Sequence, residues 1–277
     1  TSSTLLQHRT GNLVPTDVSP DGKWLALYNR LERQQDIFVM RTDGSGLARL
    51  TDDVARDWTP RFTPDGAGVT FYSNKSGTYD AWMIQLDGSE RTRLTDLAGG
   101  VTYAMLAPDG RRLVTVSQTE RAQAMIVAAP WPATKRTATA LKPLDHPGLE
   151  GQPNYWTRDG RWLLGIAATL SGDTHGTVLW DPTTLRPRLL NDDSESEIMA
   201  WLPDNQQVVY FNERGKLVMQ DIATLARRAI TGTLPYPPDV SAAIVASPDG
   251  RTLYYGARQE EANIWMMRRP SGEKITR

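Results

Sequence analysis

Three histidines, His8, His146 and His175, are the only imidazoles in the 277 residues, and cysteine is absent. A metal-dependent hydrolase or lyase needs several His or carboxylate ligands converging on one ion, and three scattered histidines do not supply that set. Without thiols there are no disulfides, thiolate sites or Cys nucleophiles, and the redox compartment stays open. Carboxylates are denser: Asp192, Asp193, Glu195 and Glu197 fall within Asn191–Glu197. An oxygen-rich loop of this kind suits Ca²⁺, but it lacks the glycine and spacing of an EF-hand. A solvated turn with no cofactor is the expectation, and Ca²⁺ is the competing one. The pairs Asp52-Asp53 and Asp192-Asp193 could serve acid–base chemistry. They occupy matching places in an internal repeat, which favours a turn-forming role, and no Ser/His/Asp nucleophile signature accompanies them.

A second group invites recognition rather than catalysis. Trp58, Tyr103, Tyr155 and Tyr236 fall outside the repeat register, with Arg56, Asp57 and Glu195 among their polar companions. Aromatic and Arg clusters suit the binding of a protein, a peptide or a small ligand.

What must position these residues is the repeat. SPDG at Ser19–Gly22 returns as TPDG at Thr63–Gly66, APDG at Ala107–Gly110 and SPDG at Ser247–Gly250. Weaker copies stand at Thr157–Gly160 and Leu202–Asn205. From Pro20 through Pro64, Pro108, Arg158 and Pro203 to Pro248 the spacings are 44, 44, 50, 45 and 45 residues. Units of roughly 40–45 residues in four strands are propeller blades. Pro presets φ for a tight turn, Asp bonds locally, and Gly takes the left-handed conformation; Asn205 is the non-Gly residue that best tolerates it. Runs rich in β-branched and aromatic residues follow each turn, such as Trp24–Tyr28 and Val208–Phe211. No amphipathic helix of three turns is present. Phe62, Trp156 and Trp201 stand at equivalent places before their turns, with Val18, Leu106 and Ala246, and are expected to pack blade against blade.

The expected fold is all-β, a single six-bladed β-propeller over residues 1–277 with four antiparallel strands per blade. Blades are expected near 12–53, 54–97, 98–145, 146–192, 193–233 and 234–277. An unpaired last strand would invite aggregation, and Thr4–Gly11 is expected to close the ring; Glu273–Arg277 competes for that place. The seven residues of the second group then lie where fourth strands lead into first strands, around one mouth of the channel.

Composition narrows the partners. A net charge of −1 gives no overall field for nucleic acid or anionic membrane, and no apolar run approaches the roughly 18 residues of a membrane span. Gly44-Ser45-Gly46 reads as a hairpin turn, not a phosphate cradle. The start, Thr1-Ser2-Ser3-Thr4, carries no Met, basic region or apolar stretch, so an excised domain or processed product is expected, monomeric as a domain.

The segments SPDGKWLALYN and DIFVMRTDGSGLARLTDD resemble the TolB-like "PD" propeller repeat, a relative of the WD repeat. TGNLVPTDVSPDG (Thr10–Gly22) and SPDGRTLYYGARQEEANIWMM (Ser247–Met267) are similar to the C-terminal propellers of bacterial Ser/Thr kinase and winged-helix regulator fusions. That resemblance implies a sensor or scaffold module in a periplasmic or other extracytoplasmic setting. TolB proteins carry an N-terminal α/β domain, and prolyl-oligopeptidase-type enzymes a G-x-S-x-G elbow; neither occurs here. The expected function is non-catalytic binding at the channel mouth, with a protein or peptide partner. The alternative is a metal-dependent hydrolase or lyase with its site in the channel.

Overall fold

The computed structural model describes residues 2–7, 13–29, 34–118, 123–134, 137–146, 149–169, 174–192, 194–212, 216–230, 244–257 and 263–268. Their strands form six four-stranded antiparallel sheets, and no α-helix occurs among them. The first sheet holds β2 (Leu13–Val18), β3 (Trp24–Asn29), β4 (Ile37–Arg41) and β5 (Ala48–Arg49). The second holds β6 (Asp57–Phe62), β7 (Gly68–Ser73), β8 (Asp80–Gln85) and β9 (Thr92–Arg93). The third runs through β10 (Val101–Leu106), β11 (Arg112–Ser117), β12 (Ala124–Ala128) and β13 (Ala138–Ala140). In the fourth are β14 (Leu149–Trp156), β15 (Leu163–Thr169), β16 (Thr174–Asp181) and β17 (Arg186–Asn191). The fifth comprises β18 (Ser194–Trp201), β19 (Gln207–Asn212), β20 (Leu217–Asp221) and β21 (Arg227–Ala229).

The last sheet draws on both ends of the chain. β22 (Ile244–Ala246), β23 (Thr252–Ala257) and β24 (Asn263–Arg268) are completed by β1 (Ser2–Gln7). Ser2 pairs with Met267 and Gln7 with Asn263. The N-terminal strand thus fills the outer edge, beginning two residues earlier than the expected Thr4. Glu273–Arg277, the competing segment, lies outside the described residues.

Apolar side chains meet between sheets. Val14, Ala26 and Tyr28 pack against Phe62, Val69 and Phe71 across the first junction. Equivalent clusters join the second sheet to the third, the third to the fourth, the fourth to the fifth and the fifth to the last. Val245 and Tyr254 then meet Leu13, Val18 and Leu25, linking the last sheet to the first. These side chains are buried, and truncating one of the Leu residues to Ala should cost about 2–5 kcal/mol.

The repeated turn also works at the junctions. Within one turn, the Ser19 hydroxyl donates to Asp21 Oδ1 at 2.6 Å and accepts from Trp24 N at 2.9 Å. Thr63 and Ser247 bond Asp65 and Asp249 the same way. These hydroxyl bonds hold the carboxyls of Asp21, Asp65 and Asp249 below the ordinary carboxylate range. At four junctions between turns, the glycine of one lies against the proline ring of its neighbour. A Cβ on Gly22 would come 3.3 Å from Pro248, one on Gly66 3.4 Å from Pro20, and one on Gly250 3.2 Å from Pro203. Side-chain bulk is therefore excluded there as well as by positive φ.

Candidate functional site

The position three residues before each turn proline, or its Arg158 equivalent, is the penultimate or middle residue of an inner strand. It is Asp17, Arg61, Met105, Tyr155, Ala200 or Val245. All six line one cavity of about 310 Å³, with Phe62, Leu106, Trp156 and Trp201 in its wall and Pro20, Pro64, Pro108 and Arg158 at its rim. A small-molecule pocket typically measures roughly 300–1,000 Å³. The cavity therefore opens on the face carrying the Pro-Asp-Gly turns.

Backbone irregularity aims these side chains. The register shifts between Pro15 and Asp17, between Trp58 and Arg61, between Thr102 and Met105, and between Pro153 and Tyr155. Such bulges re-aim a strand's side chains. They also expose inner-strand backbone groups to the neighbouring sheet. Thr16 Oγ1 donates to Pro60 O at 2.6 Å, and Thr70 Oγ1 donates to Ala104 O at 2.6 Å.

Charge enters this ring at two adjacent sheets. Arg61, buried at 6% exposure, donates from Nη1 to Thr16 O and lays its guanidinium 4.2 Å from the Tyr155 ring centroid. It thereby reaches from the second sheet to the fourth. Asp17 accepts from its neighbour Val18 N at 2.9 Å and from Phe62 N of the next sheet at 2.8 Å. Burial pushes the Asp17 carboxyl above the ordinary carboxylate range, against the pull of Arg61, those two N–H groups and Arg158. Trp156 donates its indole N–H to Met105 O at 3.2 Å, which fixes one wall. The indole N–H of Trp201 finds no acceptor among the described residues.

The residues expected around the opposite mouth separate into three fates. Trp58 and Tyr103 do come together: the Trp58 ring stacks on Tyr72 at 6.4 Å, and Tyr72 lies 6.1 Å from Tyr103. Trp58 also meets Tyr28 at 5.5 Å. Asp57 is 1% exposed and accepts from Arg91 at 2.9 Å, while Arg91 and Lys75 both hold Asp53. Burial raises the Asp57 carboxyl against the pull of Ser73, Arg91 and Thr51. Arg56 is exposed beside it. Tyr155 stands elsewhere, in the turn-face cavity beneath Arg61, because β14 begins at Leu149 and carries it almost to the strand's far end. The side chains of Glu195 and Tyr236 lie outside the described residues.

Asp17, Arg61, Met105 and Arg158 are not among the residues expected from the sequence, and Trp156 and Trp201 are expected there only to pack. Both tryptophans do pack between sheets, and both also wall the cavity. A signal was available: aligned on the turn proline, the third preceding position alone mixes acid, base, thioether, phenol and small apolar side chains. His146 is exposed, and no group of three or more His, Cys, Asp or Glu is gathered among the described residues. The acidic stretch contributes Asp192 to the described surface; the side chains of residues 193–198 are outside it.

Comparison with known proteins agrees with this geometry. A family model described as PD40, TolB beta propeller domain, matches residues 3–149, more than half of the chain. An uncharacterized protein of Agrobacterium fabrum is 39% identical over 57 residues, 21% of this chain and 20% of that protein. The chain thus spans about one fifth of the curated relative it matches. TolB from Acinetobacter baumannii superposes with a TM-score of 0.67 at 14% identity, over 95% of this chain and 64% of that one. The oligogalacturonate lyase of Vibrio parahaemolyticus superposes with a TM-score of 0.59 at 10% identity, over 98% of this chain and 97% of that one. Identities this low speak for the shared fold alone.

Proposed function

We propose that this chain, which belongs to the TolB beta propeller domain family, is a non-catalytic binding module whose site is the channel cavity on the turn face. In this reading the six sheets are the six blades of one ring, and the inner strands converge their residues on a single ligand. The observation that carries it is the ring of Asp17, Arg61, Met105, Tyr155, Ala200 and Val245. Five of the six turns keep proline and most inner positions stay apolar, yet charge is placed where the strands converge. A buried Arg that faces a cavity is a costly residue to keep for packing alone. The similarity to sensor propellers of kinase and regulator fusions supports a protein or peptide partner and an extracytoplasmic setting. No helix among the described residues is long and apolar enough to cross a membrane.

The two mouths can be told apart by tryptophan. Trp156 and Trp201 wall the turn-face cavity, whereas Trp58 belongs to the opposite aromatic cluster. A fragment and peptide screen followed through the indole N–H resonances should shift Trp156 and Trp201 and leave Trp58 in place. Hits that move Trp58 alone would transfer the site to the other mouth.

The alternative, a metal-dependent hydrolase or lyase working in the channel, draws on the fold likeness to oligogalacturonate lyase. Metal analysis of the purified protein separates the two readings. A stoichiometric transition metal, lost together with activity on chelation, would favour the enzyme.

A further inference from the structure

We infer that the ligand of the turn-face cavity presents a carboxylate attached to an apolar body, with the carboxylate held between Arg61 and Arg158. This rests on the reading of that cavity as the binding site and deepens it to a chemical class.

Arg61, Arg158 and Asp17 are the charged residues lining the cavity. Both Asp17 oxygens already accept backbone N–H groups, and burial favours its neutral form. The cavity therefore offers more positive than negative charge, and its acid is turned toward the protein.

A guanidinium carries five N–H donors in a planar fork and cannot be deprotonated. Arg61 commits one nitrogen to Thr16 O, and no other acceptor for it exists among the described residues. Its flat face is taken by Tyr155, which leaves the in-plane edge, the direction from which a carboxylate is bound bidentately. Arg158 stands at the rim, exposed, and its main chain is fixed by a 2.9 Å bond from its N–H to Asn205 Oδ1. One cation thus lies inside and one at the opening, so an anion is attracted before it is enclosed.

The remaining wall is apolar: Met105, Trp156, Val245 and Ile244 surround the charged side. At about 310 Å³ the space accepts a body of one or two amino-acid residues, not a folded segment. A free small acid and the C-terminal residue of a peptide share this chemistry.

Matched probes test it. N-acetyl-L-phenylalanine and its carboxamide differ only in the charge, as do a hexapeptide ending in Phe and its C-terminal amide. Calorimetry, or the Trp156 and Trp201 resonances, should show each acid binding at least tenfold more tightly than its amide. Arg158→Gln, at an exposed position, should weaken the acids at least fivefold and leave the amides unchanged; Arg61→Gln should do the same more strongly if it folds. Tighter binding of the peptide acid than of the acetylated amino acid identifies a chain terminus as the natural ligand, and the reverse identifies a small acid. Acid and amide bound equally, with the cavity tryptophans shifted, would overturn the carboxylate assignment while the cavity stands as the site. Acids that do not bind at all would overturn it too, and the fragment screen then decides the cavity by itself.

Discussion

The backbone N–H of Arg158 donates to the Asn205 side-chain oxygen at 2.9 Å, joining the fourth turn to the fifth. At four other junctions a glycine lies against a neighbouring proline. Here the proline has become Arg and the glycine Asn, and both changes are used. Only a non-proline has an N–H to give, and only a side chain at residue 205 can receive it. Asn205 retains the left-handed backbone of the glycine it replaces, at φ +55°. The bond keeps the ring of turns continuous while the Arg158 side chain is freed to line the cavity.

The pair should behave as a unit. Asn205→Ala removes the acceptor and strains the backbone, and should cost about 1–2 kcal/mol. Arg158→Pro alone leaves Asn205 facing a ring with no donor and should also destabilise. Combined with Asn205→Gly it recreates the contact of the other junctions. Chemical denaturation should give a coupling of about 0.5–1.5 kcal/mol in favour of the double variant. Additive losses would show that the two sites are independent.

Glycine substitutions can separate strain from crowding. Gly250 (φ +67°) and Gly110 (φ +64°) share a backbone conformation, yet a Cβ on Gly250 would sit 3.2 Å from Pro203 and one on Gly110 meets nothing within 4 Å. Gly110→Ala should therefore cost about 1 kcal/mol, the conformational share. Gly250→Ala should cost more, by up to about another 1–2 kcal/mol for displacing the proline. Equal losses in thermal melts would mean that the turns do not press on one another.

Removing residues 1–7 takes away the strand that pairs with β24 from Ser2↔Met267 to Gln7↔Asn263. The freed edge of β24 should lower the melting temperature and promote association between copies. Size-exclusion chromatography at rising concentration checks this; a truncated protein that stays monomeric and melts like the parent would contradict it.

The strands and turns were legible in the sequence because their causes are local. Pro, Asp and Gly at fixed offsets dictate the turn, β-branched runs dictate the strands, and near-constant spacing points to a propeller. The N-terminal closing strand was legible from its distance to Pro20. The cavity was not, for a physical reason. Alternation along a strand assigns side chains to faces only while the register holds, and a one-residue shift reverses the assignment. Inner strands here shift register between Trp58 and Arg61 and again between Pro153 and Tyr155. Arg61 therefore reaches the channel from a stretch that simple alternation could not resolve. Nothing in the sequence shows that β14 starts six residues ahead of Tyr155, so its separation from Trp58 and Tyr103 is visible only in the fold.

The buried carboxyl of Asp17 makes stability depend on pH, with a sign fixed by linkage. Its carboxyl is raised in the folded protein by burial, against the pull of Arg61, the two backbone N–H groups and Arg158. The folded state therefore holds the proton more tightly than the unfolded chain, whose Asp titrates near roughly 3.9. Stability from Asp17 is fully present below that ordinary value and is lost as pH rises through the folded one. The difference in unfolding free energy between the parent and Asp17→Asn should thus grow as pH falls from neutral and level off near about pH 4. Asp36 and Asp57, also raised, shift both proteins alike and cancel in the difference. Anion binding should follow the same curve. As Asp17 takes up its proton the cavity loses its one negative charge, leaving Arg61 and Arg158 unopposed. An acetylated amino acid, still ionised above about pH 4, should then bind roughly five- to tenfold more tightly. In Asp17→Asn that gain should vanish. Parent and variant curves of the same shape, in both stability and binding, would show that Asp17 does not change its protonation over this range and does not set the pH dependence of the site.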